Sequence, residues 1–142
     1  MKILKRILMI LAVVMLVVVA AITAVVMVYS HRRNNYWKFT ETNGAVEAKY
    51  TSFGAYEVAH AEFEAGDDVC KKYEVWYPTE MKESADTYPM VIIANGTGFP
   101  ASQYQSFFKH LASWGFIVVG NEDGDSRTGA SSAASLDFML EL

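Results

Sequence analysis

The segment with the residue types best suited to chemistry is a glycine-rich run, Ala-Asn-Gly-Thr-Gly-Phe-Pro at residues 94–100. Closely spaced glycines allow backbone N–H groups to approach a ligand, and such groups bind either a phosphate or the oxyanion of acyl transfer. Residues 121–128 form a second polar, glycine-containing segment. Because ligands of open α/β sheets bind beyond the carboxyl ends of the strands, we expect both segments to border one cleft.

One interpretation of the glycine-rich run is a dinucleotide-binding fingerprint. The positions of a G-x-G-x-x-A pattern are filled by Gly96, Gly98 and Ala101. Glu122 or Asp123 then lies at a suitable distance for a ribose contact. Pro100 and Ser102, however, predict a helix that begins too late for the second glycine to place a pyrophosphate at its N-terminus.

The other interpretation is an oxyanion loop, in which backbone N–H groups stabilise the charge that develops on a carbonyl oxygen. Such a loop needs a nucleophile, but the sequence contains no G-x-S-x-G motif. The nearest segment surrounds Ser126, has one residue too many and lacks a preceding strand. We expect His60 to be an exposed strand residue and His110 a surface or packing residue. No catalytic residue is therefore predicted within the chain.

Four segments predict strands. Residues 54–65 and 71–77 alternate in hydrophobicity on either side of a Gly-Asp-Asp turn, which predicts an antiparallel hairpin ending at Pro78. Residues 89–94 form a continuous apolar run, typical of a strand that is covered on both faces. Residues 116–119 predict a second such strand, parallel to the first because a helix connects the two.

Two helices are predicted around these strands. The first has Ser102 and Gln105 at capping-box spacing and ends at Gly115. Its apolar stripe consists of Tyr104, Phe107, Phe108 and Leu111. The second is capped by Ser131 or Ser132, and we expect an incomplete α/β fold with an unpaired sheet edge after it. The apolar side of this last helix consists of Leu136, Met139 and Leu140.

The first 33 residues predict a single-pass membrane anchor. Residues 7–29 carry no charge and would form a helix of roughly 34 Å, enough to span a bilayer core of about 30 Å. A cleaved signal peptide is the alternative, but its apolar region is usually about 7–15 residues long. Basic residues flank both ends, and the short basic start favours a cytoplasmic N-terminus with the domain outside the cytoplasm.

Residues 34–51 predict a linker whose aromatic residues, Tyr36, Trp37 and Phe39, lie at the membrane interface. Residues 34–142 contain seven Lys and Arg against 16 acidic residues, a net charge of −9, which argues against nucleic acid as a partner. Cys70 is the only cysteine, so neither an intrachain disulfide nor a cysteine-based metal site can form. No metal or cofactor is predicted.

Three segments, taken in order, resemble the start of a known enzyme group: Val-Trp-Tyr-Pro at 75–78, Tyr-Pro-Met-Val-Ile-Ile-Ala-Asn-Gly at 88–96, and His-Leu-Ala-Ser-Trp-Gly-Phe-Ile-Val-Val at 110–119. They are similar to the α/β-hydrolases that include dienelactone hydrolases, platelet-activating-factor acetylhydrolases and cutinase-like polyester hydrolases. The resemblance covers about residues 52–142. It rests on the order of the motifs, and Asn95 stands where many members have His.

This resemblance implies the first half of an α/β-hydrolase sheet in residues 52–142, and a serine esterase whose Ser, acid and His follow residue 142. Its substrate would be a small, lipid or polyester-type ester, without a cofactor. The backbone N–H of Thr97 would donate to the oxyanion. The cleft would be lined by Asn95, Gly96, Gly98, Phe99 and Asp123. A non-catalytic, membrane-anchored interaction module is the alternative from another class.

Overall fold

The computed structural model describes residues 2–142, and the chain divides into two compact units, the first ending at Thr40 and the second beginning at Glu41. The first unit is dominated by helix α1, Lys2–Asn34, in which no residue is buried. Its apolar stretch has a mean hydropathy of 3.1, so α1 is long and apolar enough to cross a membrane. The predicted N-terminal apolar helix is confirmed.

The predicted linker contains more regular structure than expected. A short 3₁₀ helix at Tyr36–Lys38 follows α1, and helix α2, Ala45–Thr51, begins the second unit. The ring of Phe39 packs back on the end of α1, where the Arg32 guanidinium lies 5.5 Å from its centroid. The segment 34–51 is thus partly helical, and the ring of Phe39 contacts Arg32 at the end of α1.

The second unit is built on a mixed four-stranded sheet with the order β1-β2-β4-β3. The strands are β1, Val58–Glu64; β2, Lys72–Pro78; β3, Met90–Ile92; and β4, Ile117–Asn121. Strand β2 pairs antiparallel with both β1 and β4, whereas β3 and β4 are parallel. The predicted hairpin and the predicted parallel pair are both confirmed, and the fold class is α/β.

Strand β1 begins four residues later than the alternating pattern predicts. The backbone N–H groups of Gly54 and Tyr56 donate to the Oγ and the carbonyl oxygen of Ser113, not to a neighbouring strand. A Cβ on Gly54 would lie 2.0 Å from the same carbonyl oxygen, so only glycine allows this approach. The start of the pattern therefore docks on the end of a helix.

The prediction that residues 89–94 form a strand covered on both faces is wrong. Strand β3 has only three residues, lies at the edge of the sheet, and is half-buried, with Met90 37% exposed. Strand β4 takes the interior position between β3 and β2 instead, and Val118 and Val119 are fully buried there. A continuous apolar run does not by itself distinguish an edge strand from a central one.

The two longer helices of this unit cover opposite faces of the sheet. Helix α3, Gln105–Ser113, packs through Phe108 on the face that carries Val118. Helix α4, Ala130–Glu141, packs through residues 138 and 139 on the face that carries Val119. Adjacent residues of a strand point to opposite faces, so Val118 and Val119 each supply one of two separate cores.

The predicted capping box at the start of α3 is wrong. Ser102 lies in a 3₁₀ helix, Ala101–Gln103, and both its N–H and its Oγ donate to the carboxylate of Glu122. Gln105 instead donates from Nε2 to Glu74 Oε2 at 3.3 Å. The C-terminal glycine is confirmed, because Gly115 has a φ of +93° and donates to the carbonyl oxygen of residue 112 in a Schellman motif.

The predictions for α4 are mostly wrong. Its N-cap is Gly129, and Ser131 lies inside the helix. The side chain of Asn121 on β4 donates to the Ser131 carbonyl oxygen and to Ser135 Oγ, both at 2.9 Å, which draws the serine face onto the sheet. Leu136 and Leu140 are consequently exposed, and of the three predicted apolar contacts only Met139 packs on the sheet.

Candidate functional site

The glycine-rich run forms a tight turn directly after β3. The N–H of Phe99 donates to the carbonyl oxygen of Gly96 at 2.9 Å, and Gly98 has a φ of +73°. Thr97 does not have a positive φ, so this is a type II turn with Thr97 at its second position. Thr97 is exposed, and its N–H donates to no acceptor within residues 2–142.

The turn is fixed to the loop that follows β4. Gly98 donates its N–H to the carbonyl oxygen of Gly124 at 2.8 Å, and Asn95 donates its N–H to Ser126 Oγ at 3.0 Å. The N–H of Gly96 reaches the hydroxyl of Tyr104 at 3.3 Å. The two polar segments singled out from the sequence therefore meet at the carboxyl ends of β3 and β4.

Asn95 lies beneath the turn, with 8% of its surface exposed. Its Nδ2 donates to the carbonyl oxygens of Asn121 and Asp123, both at 2.7 Å, and lies 3.2 Å from Asn121 Oδ1. Its own Oδ1 is buried and accepts no hydrogen bond within the described part of the chain. The residue predicted to line the cleft is therefore a buried connection between the two loops.

The other predicted cleft residues lie closer to solvent. Gly96, Gly98 and Phe99 are exposed, and Phe99 presents 54% of its surface. Asp123 is half-buried, and its Oδ1 accepts from the N–H of Asp125. Hydrogen bonds from the Arg127 guanidinium hold the pKa of Asp125 below its usual range. The exposed part of the site is thus the turn itself. The carboxylates of Asp123 and Asp125 lie in the loop after β4 that is bonded to it.

Ser126 and His110, a potential nucleophile and a potential base, are both held in packing roles. Ser126 is buried, and its Oγ accepts from Asn95 and lies 3.5 Å from Ser131 Oγ. His110 is buried, and its Nε2 lies 2.9 Å from the Ser52 carbonyl oxygen. His110 is therefore a packing residue, one of the two roles expected for it. These contacts leave Ser126 without the exposure that a nucleophile needs.

The dinucleotide interpretation fits this geometry poorly. A pyrophosphate would need free backbone N–H groups at the start of the helix that follows the turn. The carboxylate of Glu122 accepts from the Ser102 N–H at 2.9 Å and from its Oγ at 2.8 Å. A negative charge thus already lies at this position, and Glu122 is not available for a ribose hydroxyl.

A polar cluster on the hairpin is absent from the sequence predictions. His60 and Glu62 on β1 and Glu74 on β2 bring three potential metal-ligating groups within 4.8 Å of one another. Lys72 Nζ lies 3.0 Å from Glu62 and 3.1 Å from Glu74. His60 and Glu62 stand two positions apart on one strand of the predicted hairpin, and Glu74 lies opposite Glu62 on the other strand. This spacing is the sequence signal for the cluster.

The chain matches no protein-family model and no curated protein. Evidence for a function therefore comes from the geometry of the chain's own residues. Two features are relevant: the exposed turn that contains Thr97, and the hydrogen bonds beneath it that join the loops after β3 and β4.

Proposed function

We propose that this chain forms the oxyanion side of the active site of a membrane-anchored α/β-hydrolase, a serine esterase in its complete form. The observation that carries the proposal is the exposed residue Thr97, whose N–H donates to no acceptor among residues 2–142 and which lies beyond the carboxyl end of β3 in a turn with both flanks hydrogen-bonded. In α/β-hydrolases one oxyanion donor comes from the loop between the third strand and the following helix, and Thr97 lies in that loop here.

The placement of the helices also supports a cleft at this point. The chain leaves β3 towards α3 on one face of the sheet and leaves the neighbouring β4 towards α4 on the other. Loops that diverge to opposite faces from adjacent parallel strands leave a crevice at the carboxyl ends of those strands. Thr97 lies in the first of these loops, next to the bond from Gly98 to Gly124 that joins the two.

The turn has the rigidity that oxyanion stabilisation requires. A donor lowers the barrier only if it already points at the developing charge, because reorganisation during the reaction would cancel the gain. The bonds from Phe99 to Gly96 and from Gly98 to Gly124 fix the peptide planes on both sides of Thr97. A single donor of this kind contributes about 2.7–4 kcal/mol to catalysis.

The remaining chemistry is proposed to come from residues that follow Leu142. A serine in a G-x-S-x-G elbow would attack the ester carbonyl, while a histidine accepts the serine proton and returns it to the leaving alcohol. A carboxylate would orient that histidine. Water then repeats the attack on the acyl-serine. Thr97 N–H would bind the oxyanion in both steps, and no cofactor is needed.

The position of Asn95 is consistent with a variation on the His-Gly pattern of this group. A side-chain amide has two N–H donors, whereas a neutral imidazole has one. The amide of Asn95 uses its two donors on the carbonyl oxygens of Asn121 and Asp123. We propose that these hydrogen bonds of Asn95 hold the turn in a fixed position relative to the end of β4.

We further propose that α1 remains as a single-pass anchor with the acidic second unit outside the cytoplasm. The length and composition of Lys2–Asn34 support the anchor. An anchored esterase would act on ester substrates at or near the membrane, including lipid or polyester-type esters. Protease protection in intact cells tests the sidedness: we expect digestion of the second unit from outside, and full protection would contradict the proposal.

The proposed activity is tested on the native protein, isolated from its own membranes with an antibody against residues 34–52. We expect covalent labelling by a fluorophosphonate, which reacts with the serine of serine hydrolases, on a band well above 15.8 kDa. Heat-denatured protein is the control and should not be labelled. An unlabelled band at 15.8 kDa would contradict the proposal and favour the non-catalytic interaction module.

A further inference from the structure

The face of the sheet that carries α4 contains an apolar groove with a volume of about 310 Å³. This volume lies at the lower end of the range found for small-molecule sites. The groove is lined by apolar residues from three strands, from the 3₁₀ helix Thr79–Lys82 and from α4, among them Ala61, Val75, Met81, Ile117 and Met139. The second unit therefore has an opening on this face that a small apolar molecule could enter.

Helix α4 leaves this groove open because its own contacts hold it elsewhere on the sheet. Near its start, the side chain of Asn121 donates to the Ser131 carbonyl oxygen and to Ser135 Oγ. Near its end, the ring of Phe138 stacks on Tyr73 with the centroids 4.4 Å apart. Tyr73 and Asn121 are direct partners across β2 and β4. Helix α4 is thus held over the row that contains this pair, and the groove lies over the next rows of the sheet.

Two polar groups without partners lie among the apolar residues of the groove. Tyr77 is only 9% exposed, and its hydroxyl forms no hydrogen bond with any residue between 2 and 142. The Lys82 ammonium lies 5.6 Å from the centroid of the Tyr77 ring and forms no salt bridge within the same range. Both residues line the groove. Because buried hydroxyls are normally hydrogen-bonded, this pair of donors indicates an anionic acceptor that residues 2–142 do not supply.

We propose that the groove binds a single-chain fatty acid, whose carboxylate accepts hydrogen bonds from the Lys82 ammonium and the Tyr77 hydroxyl. The hydrocarbon chain lies on the apolar residues of the groove, where its removal from water favours binding. One ammonium balances one carboxylate, so the head group carries a single negative charge. Residues 34–142 are acidic overall, which disfavours a ligand with several negative charges.

The composition of the groove suits a flexible chain. Met81 and Met139 have unbranched, polarizable side chains, which adapt to ligands of different length and shape. The groove is also separate from the proposed oxyanion site. Ile117 begins β4, whereas the turn that carries Thr97 is bonded to the loop after the carboxyl end of that strand. Fatty-acid binding therefore does not depend on the proposed esterase activity.

The test is photoaffinity labelling of the full chain, in nanodiscs of uncharged phospholipid, with hexadecanoic acid that carries a diazirine in its chain. Mass spectrometry then locates the attached probe. We expect attachment to the residues that line the groove, and competition by unlabelled hexadecanoic acid but not by its uncharged methyl ester. Helix α1 is apolar and exposed along its length, so attachment there measures non-specific contact with the probe.

Substitutions at Lys82 test whether the carboxylate is recognised. Lys82→Glu should reduce attachment in the groove about tenfold relative to α1, because repulsion replaces an exposed ion pair. Lys82→Arg keeps the charge and should behave as wild type. The matched control is Lys109→Glu, the same change at an exposed position of α3. Attachment confined to α1, equal competition by the methyl ester, or equal labelling of the two glutamate variants would overturn the proposal.

Discussion

The side-chain amide of Asn95 donates to the backbone carbonyl oxygen of Asn121 at 2.7 Å, across 26 positions of sequence. This bond joins the end of β3 to the end of β4, and a second bond of 2.7 Å continues it to the Asp123 carbonyl oxygen. The turn that carries Thr97 is therefore supported from below by a buried side chain. Its geometry depends on the donors of Asn95 as much as on its own glycines.

Replacement of Asn95 with Asp should destabilise the second unit by about 2–4 kcal/mol. The change removes both N–H donors and places a carboxylate against two carbonyl oxygens, so buried acceptors lose their partner beside an unpaired charge. Urea unfolding of the full chain, followed by tryptophan fluorescence, measures the free energy of unfolding. The exposed Asn43→Asp is the matched control, and equal stability of the two variants would contradict the role given to Asn95.

Gly120 on β4 should not tolerate a side chain. A Cβ there would lie 2.7 Å from Phe108 Cζ and 3.0 Å from Ala101 Cβ, in a core where Phe108 is fully buried. We expect Gly120→Ala to reduce the free energy of unfolding by about 1–3 kcal/mol, the usual cost of overpacking. Gly124→Ala serves as the control. An added Cβ there would have no atom within 4 Å, so the free energy of unfolding should change little.

The stability of the second unit should fall in alkaline solution. Burial, together with the neighbouring Cys70, raises the pKa of Tyr73 to about 12, and burial and Asp67 raise the pKa of Cys70 above its ordinary 9.0. Both groups lose their protons more readily in the unfolded chain, so this contribution is complete below about pH 9 and decreases as the pH rises towards 12.

The slope of that decrease is at most about 1.4 kcal/mol per pH unit for each group. Tyr73→Phe should flatten the decrease between pH 10 and 12, whereas replacement of the exposed Tyr50 with Phe should not. Unfolding midpoints measured from pH 7 to 12 provide the comparison. A Tyr73→Phe profile that overlays the wild-type profile would show that Tyr73 does not carry this dependence.

A charge in the middle of α1 should impair its membrane insertion. Val17 lies near the centre of the uncharged run, where an arginine costs about 2.5–3.5 kcal/mol. We expect Val17→Arg to reduce the fraction of protein that stays in the membrane pellet after alkaline carbonate extraction. Val17→Leu is the control and should behave as wild type. Equal retention of all three proteins would argue against α1 as a membrane span.

The parts of the fold that local patterns determine could be predicted from the sequence. The hairpin follows from alternation on either side of a turn, and the end of α3 follows from Gly115, whose φ of +93° few other residues adopt. The start of α3 could not be predicted, because Ser102 bonds to Glu122, twenty positions away, and not to its own helix. A capping motif is a local pattern, and a tertiary partner overrides it.

The candidate site shows the same division. The meeting of the two loops could be predicted, because both follow neighbouring parallel strands. The burial of Asn95 could not, since nothing in the residues around it distinguishes a buried amide from one that lines a cleft. The complete burial of Glu74 could not be predicted either, because a single Glu in an alternating strand gives no sign of it.

Thr97→Pro in the full-length native protein tests most directly whether the backbone N–H of Thr97 stabilises an oxyanion. Proline is favoured at the second position of a type II turn, and Gly96 before it pairs with Phe99 in a strand-like bridge, so this change should remove the N–H and keep the turn. Thr97→Ala, which keeps the N–H, is the matched control.

The quantity to measure is kcat for p-nitrophenyl ester hydrolysis by the three proteins. We expect a loss of about 10²–10³ in kcat for Thr97→Pro, and values within about twofold of wild type for Thr97→Ala. A Thr97→Pro protein that hydrolyses the ester as fast as the Thr97→Ala protein would contradict this expectation.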